Sequence, residues 1–153
     1  MIPDRTKAQW FSAGIDLATV PVKVLLLKDT TAYTPDSAAH EFVGDVLAAG
    51  AEFDGTNYAR QSVTGQVVNE DNVDSEAEWD ADDVTFPSLG ASSGGQVIQT
   101  IVVYQQVGGD DTTPADDPVL RVIDDSETAE LPVQTNGGDF TISWAAEGII
   151  NLN

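Results

Sequence analysis

Apolar residues in this chain recur mostly at a period of two, and the departures from that period mark where other structure is expected. Val20 to Leu27 reads Val-Pro-Val-Lys-Val-Leu-Leu-Leu, β-branched at its start and apolar to its end, which predicts a first strand buried on much of both faces. Pro21 is tolerable there, at a strand's beginning. A helix is predicted next. Thr34-Pro35-Asp36 offers an N-cap, a proline at the first helical position and an acid near the positive end of the dipole. Ala39, Phe42, Val43, Val46 and Leu47 then recur at helical spacing, and Gly50 is a natural stop.

Beyond Gly50 the period of two returns. Tyr58 to Val68 alternates loosely, and Ala77, Trp79 and Ala81 alternate until the phase slips at Asp82 and Asp83, so that Val84 and Phe86 resume one residue out of step. Such a slip predicts a β-bulge or a strand break. Gln96 to Val107 predicts the central strand, with Val97, Ile101 and Val103 on one face and Ile98, Val102 and Tyr104 on the other. Gly108-Gly109-Asp110 through Asp117-Pro118 is turn chemistry, followed by a shorter strand over Val119 to Ile123. Asn136-Gly137-Gly138 is a second turn signal, after which Phe140, Ile142 and Trp144 alternate with polar residues, and Ile149, Ile150 and Leu152 close the chain. The fold class is mainly β: an antiparallel β-sandwich or open barrel with one short α-helix and an N-terminal arm. Residues 1–19 are expected to form the arm and residues 20–153 a single β-rich domain, close to the commonest domain size.

Charge changes the picture most. The chain holds 26 Asp and Glu against six Lys and Arg, for a net charge of −20. Arg5, Lys7, Lys23 and Lys28 fall in the first 28 positions with only Asp4 and Asp16, so that stretch carries +2 and the remainder −22. Self-repulsion on this scale destabilises a compact state unless salt screens it, since the Debye length shrinks from about 30 Å at 0.01 M to about 3 Å at 1 M. A surface rich in Asp and poor in Lys therefore reads as salt-adapted, with diffuse or weakly bound cations around it. Nucleic acid is disfavoured as a partner, because affinity for phosphates comes from Lys and Arg that the body lacks. No apolar run approaches the ~20 residues of a membrane span, so no membrane partner is expected. No apolar stretch of signal type follows the first charges, and the mature chain is expected to begin near Met1. Without cysteine, disulfides and thiolate chemistry are unavailable to it.

Candidate chemistry is sparse. Eight acids fall between Glu70 and Asp83 and eight more between Asp110 and Glu130. Asp80, Asp82 and Asp83 are the candidates for a hard cation such as calcium, yet no segment has the spacing and central glycine of an EF-hand loop, and the expectation is a solvated acidic face with no cofactor. His40, the only histidine, lacks partners for a metal site or a catalytic triad and is expected to be structural. Gly94-Gly95 and Gly108-Gly109 lack the Lys and hydroxyl residue of a phosphate loop and read as turns. Trp10, Trp79 and Trp144 could stack on sugars if exposed, but their apolar or alternating context predicts core packing. No pair of carboxylates is singled out for glycoside cleavage, and the chain is not expected to be an enzyme.

The C-terminal stretch Leu131-Pro132-Val133-Gln134-Thr135-Asn136-Gly137-Gly138-Asp139-Phe140-Thr141-Ile142-Ser143-Trp144, with Gly148-Ile149-Ile150, resembles the end of a group of small virion proteins of tailed viruses of bacteria and archaea. Shorter pieces agree: Val22 to Leu27, Tyr33-Thr34-Pro35, His40-Glu41-Phe42, Asp80 to Phe86, Val102-Val103-Tyr104 and Pro118-Val119-Leu120. The resemblance runs from about residue 20 to the end and leaves the arm outside. It implies a structural role in the particle, as an accessory, decorating or turret-like component of the head or, alternatively, of the tail, and it carries over no catalytic residues. The extreme charge departs from that group and points to a halophilic host. Partners expected on this basis are other copies of the chain, as a homo-oligomer, and virion proteins such as the major capsid protein. The arm supplies the expected assembly contacts, with Arg5, Lys7, Trp10, Phe11, Lys23 and Lys28 as the contact residues and the outer surface of the head as the location. The rival expectation is a module that binds a host-surface glycan or protein.

Overall fold

The computed structural model describes residues 1–3, 15–71 and 76–152. Its strands are β1 (Val22–Lys28), β2 (Ala51–Glu52), β3 (Gln61–Ser62), β4 (Val67–Asp71), β5 (Glu76–Asp80), β6 (Val84–Phe86), β7 (Ile98–Gln105), β8 (Val119–Ile123), β9 (Phe140–Ile142) and β10 (Ile150–Leu152), with one helix, α1 (Val43–Ala49). Every pairing is antiparallel. The largest sheet runs β2-β1-β7-β8, with β3 pairing the same edge of β1 as β2 but at its other end; β10-β5-β4 and β6-β9 form two smaller sheets. The mainly β, sandwich-like class expected from the sequence is what the chain forms, and its sheets do not close into a barrel.

The large sheet is the middle layer, and that position explains the composition of its two central strands. Val24 and Leu26 of β1 and Ile101 and Val103 of β7 pack into one core with Trp79, Phe86, Ile142 and Ile150 from the smaller sheets. Leu25 and Leu27 of β1 and Val102 and Tyr104 of β7 pack on the opposite face with Tyr33, and with Val43 and Val46 of α1. A strand covered on both sides has no use for polar alternation, hence the unbroken apolar runs. Removing such surface from water stabilises by about 25 cal/mol per Å2, and this double burial is the main support of the fold.

Two expectations are corrected. The alternation of the sequence predicts Ile98 on the face of Val102 and Tyr104, but it lies in the core with Ile101 and Val103. The pairing of β1 with β7 steps from Leu27↔Thr100 to Lys28↔Ile98, so one extra residue in β7 inverts the alternation at that point. The helix does not start at Thr34-Pro35-Asp36 either. The Asp36 carboxylate accepts the amides of Ala38 and Ala39, closing a single turn that ends with the His40 amide on the Asp36 carbonyl. Phe42 then bridges Pro118 in extended conformation, and α1 begins only at Val43, with Asp45 Oδ2 accepting the Phe42 amide at 3.0 Å. Local turn chemistry and a tertiary pairing overrode the helical period.

The phase slip at Asp82 and Asp83 is a strand break. β5 ends at Asp80 in one sheet and β6 begins at Val84 in another, so the chain changes sheets there. Gly148 is placed by the same crossing. Its φ is +76°, and a Cβ built on it would stand 2.7 Å from the Trp79 carbonyl oxygen. Only glycine lets the chain turn against β5 so that Ile149 can donate its amide to that carbonyl at 2.8 Å. The described ends of the segment 1–19 lie against the domain: the Val122 amide donates to the Met1 carbonyl, and buried Leu17 accepts the indole N–H of Trp79 at 2.9 Å.

Candidate functional site

The four described Lys and Arg side chains are all engaged within the fold, Lys23 and Lys28 by distant segments and Arg60 and Arg121 by nearer ones. Lys23 points from the α1-side face of β1 to Asp111, with Nζ 2.6 Å from Oδ2. Lys28, at the end of the same strand, meets Asp54 at 2.6 Å. Arg60 grips Glu52 through two parallel bonds of 2.8 Å, and Arg121 bonds Glu127 at 2.9 Å. Lys23 and Lys28 were expected to serve assembly contacts; the structure places both in internal ion pairs, with side chains mostly covered. Arg5, Lys7, Trp10 and Phe11 lie outside the described residues.

These pairs belong to polar networks that bind loops to the large sheet. Arg60 lies over the ring of Tyr104, 5.5 Å from its centroid, and Tyr104 donates to Asp111 at 2.8 Å. Gln106 donates to the same carboxylate oxygen at 2.7 Å. Burial works against the charge of Asp111, but the bonds from Lys23, Tyr104 and Gln106 outweigh it and hold its pKa below the ordinary carboxylate value. Tyr58 accepts the Leu26 amide and donates to Glu52, and its burial pushes the phenol pKa far up. Asp54 is held low by bonds from Lys28, Ser92 and Ser93. Asp117 differs. It is fully buried; Oδ1 accepts the Val107 amide while Oδ2 has no partner, and burial raises its pKa. With every described cation neutralised inside, the surface is left to carboxylates.

The acids singled out as cation candidates do not converge. Asp82 Oδ2 accepts the Thr64 hydroxyl at 3.0 Å, and Asp83 Oδ2 accepts the Ser143 hydroxyl at 2.8 Å, while Asp80 sits on β5 opposite Val67. Among the described residues no three carboxylate or imidazole groups are arranged to hold a metal ion. His40 stacks on Tyr33, and its Nδ1 lies 3.1 Å from the Tyr33 hydroxyl and 3.2 Å from the Asp36 amide, an arrangement that fixes the turn before α1.

Trp79 is a core residue, but Trp144 is half-buried on the wall of a cavity of about 530 Å3 lined from β8, β9 and the segments that follow them. Ile101, Leu131, Phe140 and Ile142 line it, with Arg121 and Glu127 also in its wall. The indole N–H of Trp144 donates to the Asp82 carbonyl at 3.0 Å, which fixes the ring. Such a volume is in the range of small-ligand pockets, and sequence reasoning missed it because its walls come from segments that are separate along the chain. Among the described residues no helix is long and apolar enough to cross a membrane. Compared with known protein families, curated proteins and solved structures, the chain has no match.

Proposed function

We propose that this chain is a non-enzymatic structural component of a virus particle, standing on the outer surface of the head of a tailed virus of a halophilic host. It acts there with other copies of itself and with shell proteins such as the major capsid protein. The observation that carries this reading is the engagement of Lys23, Lys28, Arg60 and Arg121 in internal ion pairs in a chain of net charge −20. A surface left to carboxylates is repelled by packaged nucleic acid and soluble in brine, which suits the outside of a particle and not its interior. The resemblance of Val22 to Leu27, and of the stretch from Leu131 to Ile150, to pieces of small virion proteins is the second support for it.

Antibody against the purified chain is the test. Gold label on the heads of intact particles is the expected result; absence from purified particles, or labelling only after they are opened, contradicts the reading. The cavity beside Trp144 favours a second reading, a module that binds a host-surface glycan or protein. Purified protein that coats host cells and blocks infection would favour that reading.

A further inference from the structure

We propose that the cavity beside Trp144 binds a small organic cation, an ammonium group carried on an apolar body. This goes beyond the reading of that cavity as a site for a host glycan or protein, and it holds wherever the protein resides. Aliphatic side chains form one part of the wall: Ile101 of β7, Ile123 of β8, Ile142 of β9, and Leu131 and Ile149 from the segments between strands. Trp144 and Phe140 add two half-buried aromatic rings. The indole N–H of Trp144 is spent on the Asp82 carbonyl, so the rest of the ring, apolar and π-rich, is what it offers to a ligand.

The charged groups of the wall decide the class of ligand. Arg121 donates to the Ile149 carbonyl and to Oε2 of Glu127, while Oε1 of Glu127 accepts from the ammonium of Met1. These groups occupy one another. Glu130 is exposed and also in the wall, and its carboxylate has no hydrogen-bond or ion-pair partner among the described residues; only its amide is engaged, by the Thr128 hydroxyl. A ligand therefore meets one unpaired negative charge and two aromatic rings, and an ammonium group is attracted by both. The net charge of −20 adds a field that gathers cations and turns anions away. A carboxylate ligand finds no cation in this wall that is not already bonded to Glu127. A sugar fits less well, because its hydroxyls would lie against Ile101, Leu131, Ile142 and Ile149, whose side chains offer no hydrogen bond.

Binding to the full chain in 0.5 M NaCl, measured by isothermal titration calorimetry, tests this. Three probes share one ring and differ in charge: benzyltrimethylammonium, neutral benzyl alcohol and anionic phenylacetate. Methyl glucoside is the sugar. Benzyltrimethylammonium is expected to bind at least tenfold more tightly than each of the other three. Glu130→Gln is expected to lower its affinity at least threefold, while Asp125→Asn, which removes an exposed acid of the same loop outside the wall, leaves it unchanged. In nuclear magnetic resonance spectra the indole N–H signal of Trp144 is expected to shift on titration and that of Trp79 to stay. The same Trp144 signal, unmoved in ligand-free Glu130→Gln, guards against a distorted wall in the variant. No binding of the cation, equal or tighter binding of benzyl alcohol or phenylacetate, an unaffected Glu130→Gln, equal loss in Asp125→Asn, or a shift at Trp79 instead of Trp144 would each overturn the proposal. Tighter binding of methyl glucoside would overturn it too, and would return the cavity to the glycan reading.

Discussion

Lys23 and Asp111 stand 88 residues apart in the chain and 2.6 Å apart in the fold. The pair ties the loop after β7 to the start of β1, and Tyr104 and Gln106 donate to the same carboxylate. Replacing Asp111 with Asn leaves an ammonium facing a neutral amide and weakens three hydrogen bonds. The expected cost is about 1–3 kcal/mol at pH 7, measured by urea unfolding. Because the folded pKa of Asp111 is lowered, its contribution is present in full above the unfolded value of about 4 and is lost as pH falls through the folded value. The gap between Asp111→Asn and the unaltered chain therefore narrows in acid.

Asp117 carries the opposite sign. Its folded pKa is raised by burial, so its ionisation works against the folded state as pH climbs from about 4 through that raised value. Asp117→Asn removes the buried charge and is expected to stabilise by about 1 kcal/mol at pH 7, with the gain vanishing below pH 4. Paired urea titrations at pH 4 and pH 7 check both the size and the slope.

Tyr58→Phe removes the hydroxyl that accepts the Leu26 amide and donates to Glu52. The aromatic contacts with Phe53 and Phe86 remain, so packing is preserved while a buried main-chain donor of β1 loses its partner. A loss of about 1–3 kcal/mol is expected, read as an earlier urea midpoint with an unchanged slope.

Gly148→Ala forces a side chain into the left-handed region and against the Trp79 carbonyl. A loss of about 1–3 kcal/mol is expected. Hydrogen exchange should place the damage at β10 and the Ile149 amide before the rest of the large sheet, because that amide bonds the same carbonyl.

The strands that could be read directly from the sequence are those whose environment is uniform. β1 and β7 are covered on both faces and show it as unbroken apolar runs, and the slip at Asp82 and Asp83 shows where the chain leaves one sheet for another. The sequence predicts too long a helix because Asp36 has the chemistry of a helix start and uses it to close one turn, while the bridge of Phe42 to Pro118 spans 76 positions. The charge pairs were illegible for the same reason. Lys23 and Lys28 look free in sequence, since Asp111 and Asp54 reach them only through the packing of distant loops. The cavity beside Trp144 likewise exists only once β8, β9 and the segments after them come together.

The claim on which the account rests is that this fold engages its described cations internally and leaves an uncompensated anionic surface. Thermal unfolding between 0.01 and 0.5 M NaCl tests it most directly, because salt weakens internal ion pairs and surface repulsion alike, and the larger of the two sets the sign. The account predicts a Tm that rises steeply over this range and equally in KCl at matched ionic strength. A Tm that stays level or falls would show that the surface carries no net repulsion to screen, and would contradict it.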